Sequence, residues 1–377
     1  MFILIRTIIR WFAQRIAGFL GWKLLTRPQT ETYLTNYSKL SLPEERVWLL
    51  SVADAVDRTR LVFPAQEVRT SPARVWHISP SRHMTTILPS GVLIVDTNVL
   101  CTDYWTHHAL LDQLRHRNRP VVQVDTVVAP FGHYQDPFMF GGYYDFLYLI
   151  AAKLCRIEKT LPAGFADMAI AYPLLGTTYE MELLSYLGFS PNRIFDSRRV
   201  HVQAEHYLSG SGGNWFYPSL TDMDALRDRL APLIPTSTAT PYPLYVSRAG
   251  RRRIVNEHEL MTMLNRYGFV CMADEPRSLA EQLSLYQGSS FIVGPHGASF
   301  ANINWCQPGT YLHELCSINY SPDFFRYLAQ VRHLSYSISL HGALCQRRFR
   351  QALVEDITVS VPALERVVNH LLQDQTR

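Results

Sequence analysis

Apolar residues recur over the first 27 positions with the spacing of a helix. On a helical wheel Phe2, Ile5, Ile9, Phe12, Ile16, Phe19 and Leu20 gather on one side, and Arg6, Thr7, Arg10, Gln14 and Arg15 on the other. The pattern predicts an amphipathic helix over 1–27. After Pro28 the text turns polar and loop-like, then alternates as an α/β protein does. Leu93-Ile94-Val95-Asp96 and Val121-Val122-Gln123-Val124-Asp125 read as short strands, each ending on a carboxylate. Residues 102–117 between them read as helix or loop. A helix is expected from Tyr143 to about Ile157, a strand at Ala169–Ala171, and a helix from Thr178 to Leu187 that stops on Gly188.

Pro232, Pro235, Pro241 and Pro243 among Ser and Thr mark the clearest linker, and beyond it the alternation restarts. Strands are expected at Leu244–Ser247, Phe269–Met272, Phe291–Val293 and Tyr311–Leu315, and helices at Glu257–Tyr267, Leu279–Gln287 and 298–306. Alternating β and α units build parallel sheets with helices on both faces. With 377 residues the chain is too long for one ordinary core. The expectation is therefore two Rossmann-like domains, 28–235 and 241–377, behind the 1–27 helix, with the last helix a candidate to return to the first domain. Ligands of this architecture normally sit in a cleft.

Composition narrows the function classes. A net charge of +4, with no dense basic stripe, argues against a nucleic-acid partner. The six cysteines are scattered without a CxxC pair, which predicts reduced thiols in a cytoplasmic compartment rather than a zinc site or disulfide scaffold. Residues 1–30 carry five basic side chains and no Asp or Glu, and their apolar runs are far shorter than the ~20 residues of a membrane span. This is the pattern of a helix lying in an anionic membrane surface. Docking on the protein's own core and an organelle transit peptide are the alternatives; a secretory signal fits badly, because Arg10 and Arg15 interrupt the apolar stretch.

Three strings carry candidate chemistry. In Phe291-Ile292-Val293-Gly294-Pro295-His296-Gly297-Ala298-Ser299-Phe300-Ala301-Asn302 a strand runs into a tight turn and a helix of small residues. Backbone can approach a ligand closely there, and helix N–H groups favour phosphate. His296 adds a polar group at the same spot. In Ser247-Arg248-Ala249-Gly250-Arg251-Arg252-Arg253, four arginines follow a strand end, and guanidinium forks suit phosphate oxygens. A solvated basic turn is the alternative, and Asn256 is placed to cap the next helix. In Pro308-Gly309-Thr310-Tyr311-Leu312-His313-Glu314, a strand ends on a carboxylate suited to ribose hydroxyls.

Ser247-Arg248, Arg252 four residues before Asn256-Glu257, Gln282, Gly294–Ala298, and Pro308-Gly309 with Glu314 resemble glycosyltransferase family 61 in order and spacing from about 244 to 316. The resemblance is to its bacterial, surface-polysaccharide type. It implies a two-domain GT-B fold, a nucleotide-diphosphate-sugar donor (a UDP-sugar first), inversion at the anomeric carbon, and a glycan or lipid-linked saccharide acceptor. The donor residues it implies are Arg248, Arg252, His296, Gly297, Ala298, Ser299, Asn302 and Glu314. The family often has a His before an apolar helix where this chain has Asp145. Asp145 is thus the first candidate base, with Asp136 and His133 next, and capping of its own helix is the alternative role. No cofactor and no metal are expected: Asp222-Met223-Asp224 reads as a helix cap and first-turn charge, not a metal pair. A peripheral position on the inner face of the membrane follows from the basic helix. An inactive scaffold of the same fold is the rival reading; a dinucleotide enzyme is disfavoured by the lack of GxGxxG after any strand.

Overall fold

The computed structural model describes residues 2–79, 85–103, 113, 116, 118–132, 142–235, 240–345 and 348–375, with backbone only for 2–10 and 374–375. The chain divides into two compact units: Met1–Glu45 with Thr70–Arg229, and Arg46–Arg69 with Leu230–Arg377. Among the described residues no helix is long and apolar enough to cross a membrane.

The first unit is built on a six-stranded sheet ordered Ile194–Asp196, Ala169–Tyr172, Val121–Ala129, His201–Gly210, Ala73–Ile78, Ser38–Leu42. The first four strands are parallel and the last two pair antiparallel. Trp76, Ile78, Val127, Ala129, Ala169, Ala171, Val202 and Tyr207 form the core of one face. The sheet differs from the expectation in two places. Asp125 does not end its strand; the strand runs on to Ala129 and Asp125 is exposed in its middle. Leu93–Val95 belongs instead to a separate four-stranded sheet, and Asp96 sits in the turn that follows it at φ 59°, accepting the Tyr33 hydroxyl at 2.5 Å. The stretch after Pro28 is not loop: it holds a helix at Arg27–Tyr33 and several short strands. Their half-exposed alternation, as in Ser38-Lys39-Leu40-Ser41-Leu42, gives a weak periodic signal.

The N-terminal helix spans Phe2–Phe19. Ala13 and Ala17 pack on Leu88, Val92, Ile94 and Val99 of the first unit. Trp11, Phe12, Ile16, Phe19 and Leu20 stay exposed, Phe19 at 92 %, and the Arg15 guanidinium lies over the Trp11 ring at 4.8 Å.

The second unit holds a five-stranded, fully parallel sheet ordered Val270–Met272, Tyr242–Val246, Ser289–Pro295, Tyr311–Ser317, Ser335–His341. In chain order this is 2-1-3-4-5, which reverses between the first and third strands. The helices Glu257–Asn265 and Val361–Gln375 cover one face through Leu260, Met263, Leu264, Leu364, Val367 and Val368, packed on Tyr245, Phe291, Val293 and Leu315. The last helix therefore packs on this unit's own core rather than returning to the first. Residues 46–69, which lie before the Pro-rich linker, also belong here. Arg326, fully buried, donates to the carbonyls of Pro64 (2.9 Å) and Leu50 (3.4 Å), pairs with Asp323 at 3.1 Å, and lies 4.8 Å over the Phe63 ring. All six cysteines are free thiols, Cys271 and Cys345 exposed and the others buried.

Candidate functional site

The reversal of strand order in the second unit lies between the ends of Tyr242–Val246 and Ser289–Pro295. A crevice opens at such a point, because the connections leave the two strand ends in opposite directions. The two motif loops flank it. Tyr245 and Ser247 hydroxyls both donate to Glu257 Oε1 (2.7 and 2.8 Å), fastening the strand end to the following helix. The Ala249 amide donates to Asp274 (2.8 Å), and Arg253 pairs with Asp356 at 2.8 Å. The loop is thus pinned rather than free. Asn256 does not cap the next helix with its side chain: it exchanges two 2.9 Å hydrogen bonds with the backbone of Val359, tying the loop to the C-terminal segment.

These ties leave Arg248 and Arg252 facing the turn. Arg248 donates from Nη1 to the His296 carbonyl (3.0 Å) and from Nε to the Arg251 carbonyl (2.5 Å). Arg252 is held at φ 63°, a left-handed conformation that costs a non-glycine residue energy, with its guanidinium 5.5 Å over the Tyr320 ring. Among the described residues neither arginine forms an ion pair with a carboxylate. Burial, reinforced by Arg252 and then Arg251, pushes the Arg248 pKa down to about 10, and burial likewise lowers that of Arg252. The Asp274 carboxylate opposes this shift at Arg248 but does not outweigh burial and the neighbouring arginines.

The Gly294-Pro295-His296-Gly297 turn is shaped by what its glycines admit. A Cβ on Gly297 would lie 1.9 Å from Arg248 Nη1, and one on Gly294 would lie 2.7 Å from the Val246 carbonyl. Ala298–Trp305 is a 3₁₀ helix rather than an α-helix. The Ser299 hydroxyl turns to Tyr286 (2.8 Å) and Asn302 is fully buried, so both side chains serve the unit's interior while Gly297 and Ala298 present backbone at the turn.

His296 is buried among Tyr320, Phe324 and Phe325, with ring centroids 5.1–6.3 Å away. Its Nδ1–H is held by Glu314 Oε1, and the Tyr336 hydroxyl donates to Glu314 Oε2 at 2.5 Å. Glu314 is fully buried with both oxygens engaged, so it has no surface to offer a ribose; it acts on His296 instead. Burial lowers the His296 pKa, Arg252 and Arg248 add to this, and Glu314 opposes it. With its proton held on Nδ1, the neutral ring carries its lone pair on Nε2.

His296, Glu314 and Cys316 bring ligand atoms within 4.8 Å of one another. As a cation site the cluster is poor. Both guanidiniums act electrostatically on His296, Glu314 is already shared by two hydrogen bonds, and burial, with Glu314 adding to it, holds the Cys316 thiol well above its ordinary pKa. The residues fit an anion beside a hydrogen-bonded histidine better than a metal. Of the others, Gln282 donates to the Arg277 carbonyl at 3.3 Å.

In the first unit Asp145 accepts from the Gly142 amide at 3.0 Å and from Trp215 Nε1 at 2.7 Å, directly before an uncommon π-helical stretch, Phe146–Ala151. His133 and Asp136 lie outside the described residues. Both Asp222 carboxylate oxygens accept from Arg156 Nη1 (2.7 and 2.8 Å), and the cap of its helix is the Ser219 hydroxyl. Sequence reading passed over two buried groups here: Lys153, which pairs with Asp103 at 2.5 Å, and Arg156. Two cations set among the apolar residues of Phe146–Ile157 were the available signal.

The second unit is an α/β fold whose strand reversal is flanked by two arginines and a glycine-containing turn. The model of the family described as Glycosyltransferase 61 matches residues 82–313. The chain belongs to that family, and membership implies transfer of a sugar from a nucleotide-sugar donor to a saccharide acceptor. No curated protein matches the chain.

Proposed function

We propose that the second unit binds the diphosphate of a nucleotide-sugar, a UDP-sugar first, between Arg248, Arg252 and the backbone of Gly297 and Ala298, in a protein of GT-B architecture that inverts the anomeric carbon. One observation carries this reading: at the strand reversal stand two half-buried guanidiniums that, among the described residues, form no ion pair with a carboxylate. In an inverting transfer the leaving diphosphate gains charge as the acceptor hydroxyl loses its proton. The arginines offset that charge without a divalent ion. His296, neutral in the free protein, has its proton affinity raised by an arriving dianion and turns from acceptor to donor at Nε2. Asp145 of the first unit is the proposed base; its hydrogen bonds from Gly142 and Trp215 orient the carboxylate.

The test is product analysis after incubation of extracted glycans and lipid-linked saccharides, of the capsule or surface-polysaccharide type, with labelled nucleotide-sugars. Transfer with inversion, fully retained in excess EDTA, is expected. Activity abolished by EDTA and restored by manganese would show that the arginines do not stabilise the leaving group alone. Transfer with retention would remove the base from the mechanism.

We also propose that the Phe2–Phe19 helix rests on an anionic membrane surface on the cytoplasmic side. The support is its division of labour: small Ala13 and Ala17 face the protein, while the bulky apolar residues from Trp11 onward remain exposed in a segment with basic but no acidic side chains. Basic residues near such a surface contribute ~1 kcal/mol each. The protein should float with phosphatidylglycerol vesicles and be released by salt or by Arg6, Arg10 and Arg15→Glu together. Release by neither, or resistance to carbonate extraction, would overturn this placement.

A further inference from the structure

We infer that Phe349 is the stacking platform for the donor's nucleobase, an inference that rests on the diphosphate site proposed above. Tyr320 links the two. One contact of its ring is the Arg252 guanidinium at 5.5 Å; another is Phe349, centroid to centroid 6.2 Å with the planes at 70°. The edge of the His296 ring meets it at 5.5 Å. A run of aromatic and guanidinium groups thus leads outward from the phosphate-seeking arginines and ends at Phe349.

Phe349 stands out among the aromatics of this run. Phe324 and Phe325 are buried and Tyr320 half-buried, whereas Phe349 is 58 % exposed. It opens a short helix, Phe349–Ala352, that follows the last sheet strand, Ser335–His341. An exposed ring of this size gains little from folding, because most of its surface stays in water. Such a ring, joined through Tyr320 to the Arg252 guanidinium, fits a flat, apolar-faced ligand group tethered to a diphosphate. A nucleobase is that group: every base has a π-face, and stacking on an aromatic tolerates different bases. Phe349 also lies outside the residues that the family model matches.

Two ligands separate the base from the phosphates. Calorimetric titrations with UDP, GDP, CDP and TDP are compared with titration by inorganic pyrophosphate, for the full chain and for Phe349→Ala and Phe349→Trp. The expected result is a loss of about tenfold in affinity for the preferred nucleoside diphosphate in Phe349→Ala, with pyrophosphate affinity unchanged and nucleotide affinity restored in Phe349→Trp. The melting temperature of the exposed-site variants should stay at the parent value. Equal loss for pyrophosphate and nucleotide would make Phe349 a prop for Tyr320 and overturn the inference, as would unchanged nucleotide affinity in Phe349→Ala. If the parent chain binds neither pyrophosphate nor any nucleotide, the diphosphate reading itself fails. Arg252-dependent pyrophosphate binding without a Phe349 effect sinks the platform alone.

Discussion

Both units reverse their strand order, and they treat that point in opposite ways. In the first unit the reversal lies between Val121–Ala129 and His201–Gly210, and paired charges surround it. Lys153 and Asp103 are each about 99 % buried and bonded at 2.5 Å, Asp103 also accepts the Gly132 amide at 2.8 Å, and Arg156 joins Asp222 to the Ser211 carbonyl. In the second unit the reversal holds Arg248 and Arg252, bonded to carbonyls and packed on an aromatic ring, with Asp274 acting on Arg248 without pairing with it among the described residues. A buried cation with a carboxylate partner is satisfied by its own protein. A half-buried cation without one is satisfied by whatever anion arrives. The same topological feature is an internal joint in one half and, among the described residues, holds two arginines outside any carboxylate ion pair in the other.

The largest expected effect breaks the joint. Lys153→Ala leaves Asp103 buried and unpaired, and should cost about 3–5 kcal/mol of unfolding free energy. Urea unfolding followed by circular dichroism measures it, and a loss below about 1 kcal/mol would mean the pair is solvated and the contrast false. Lys153→Met should recover little, since the orphaned carboxylate remains.

The arginines should show the reverse profile. Arg248→Ala should lower nucleoside diphosphate affinity about tenfold or more, the worth of a charge-assisted hydrogen bond, while stability hardly changes. Arg252→Gly sharpens this, because glycine accepts φ 63° without strain. Stability equal to or above the parent, together with weakened binding, is expected in calorimetry and thermal melts. Strong destabilisation with intact binding would assign both side chains to the scaffold.

A third, pH-dependent effect comes from two buried histidines of the second sheet. His313 lies between Ser337 and Ser339 hydroxyls, each 2.8 Å away, and burial lowers its pKa to about 3. Burial lowers that of His341 to about 4. Both folded values lie below the unfolded one near 6.5, so between them the unfolded chain binds protons that the folded chain refuses. Stability should therefore fall as pH drops below about 6.5, by about 1.4 kcal/mol per unit for each histidine, and level off near the folded values. Denaturant midpoints measured from pH 7 to 4 test it; His313→Asn should flatten the slope, and an unchanged slope would show that other groups set it.

Much of the second unit was legible along the chain. Leu279–Gln287 forms at the expected bounds, Gly268 stops its helix at positive φ, as Gly188 does in the first unit, and the Arg-rich and Gly-Pro-His-Gly strings both fall at strand ends. These features are local: periodicity, propensity and turn chemistry act within a few residues. The chain by itself also held the family, through the spacing of those strings.

Only the tertiary structure decided who meets whom. It turned Arg253 to Asp356 and left Arg248 and Arg252 facing the crevice, though all three stand in one run. It gave Glu314 to His296 instead of a ribose, moved Asn256 from capping to Val359, and drew residues 46–69 onto Arg326. It also sealed Lys153 against Asp103 across fifty positions of sequence. Each of these is a choice of charge or hydrogen-bond partner between segments distant in the chain. Burial makes an unmatched polar group costly, so the choice is enforced only once the sheets have brought the segments together.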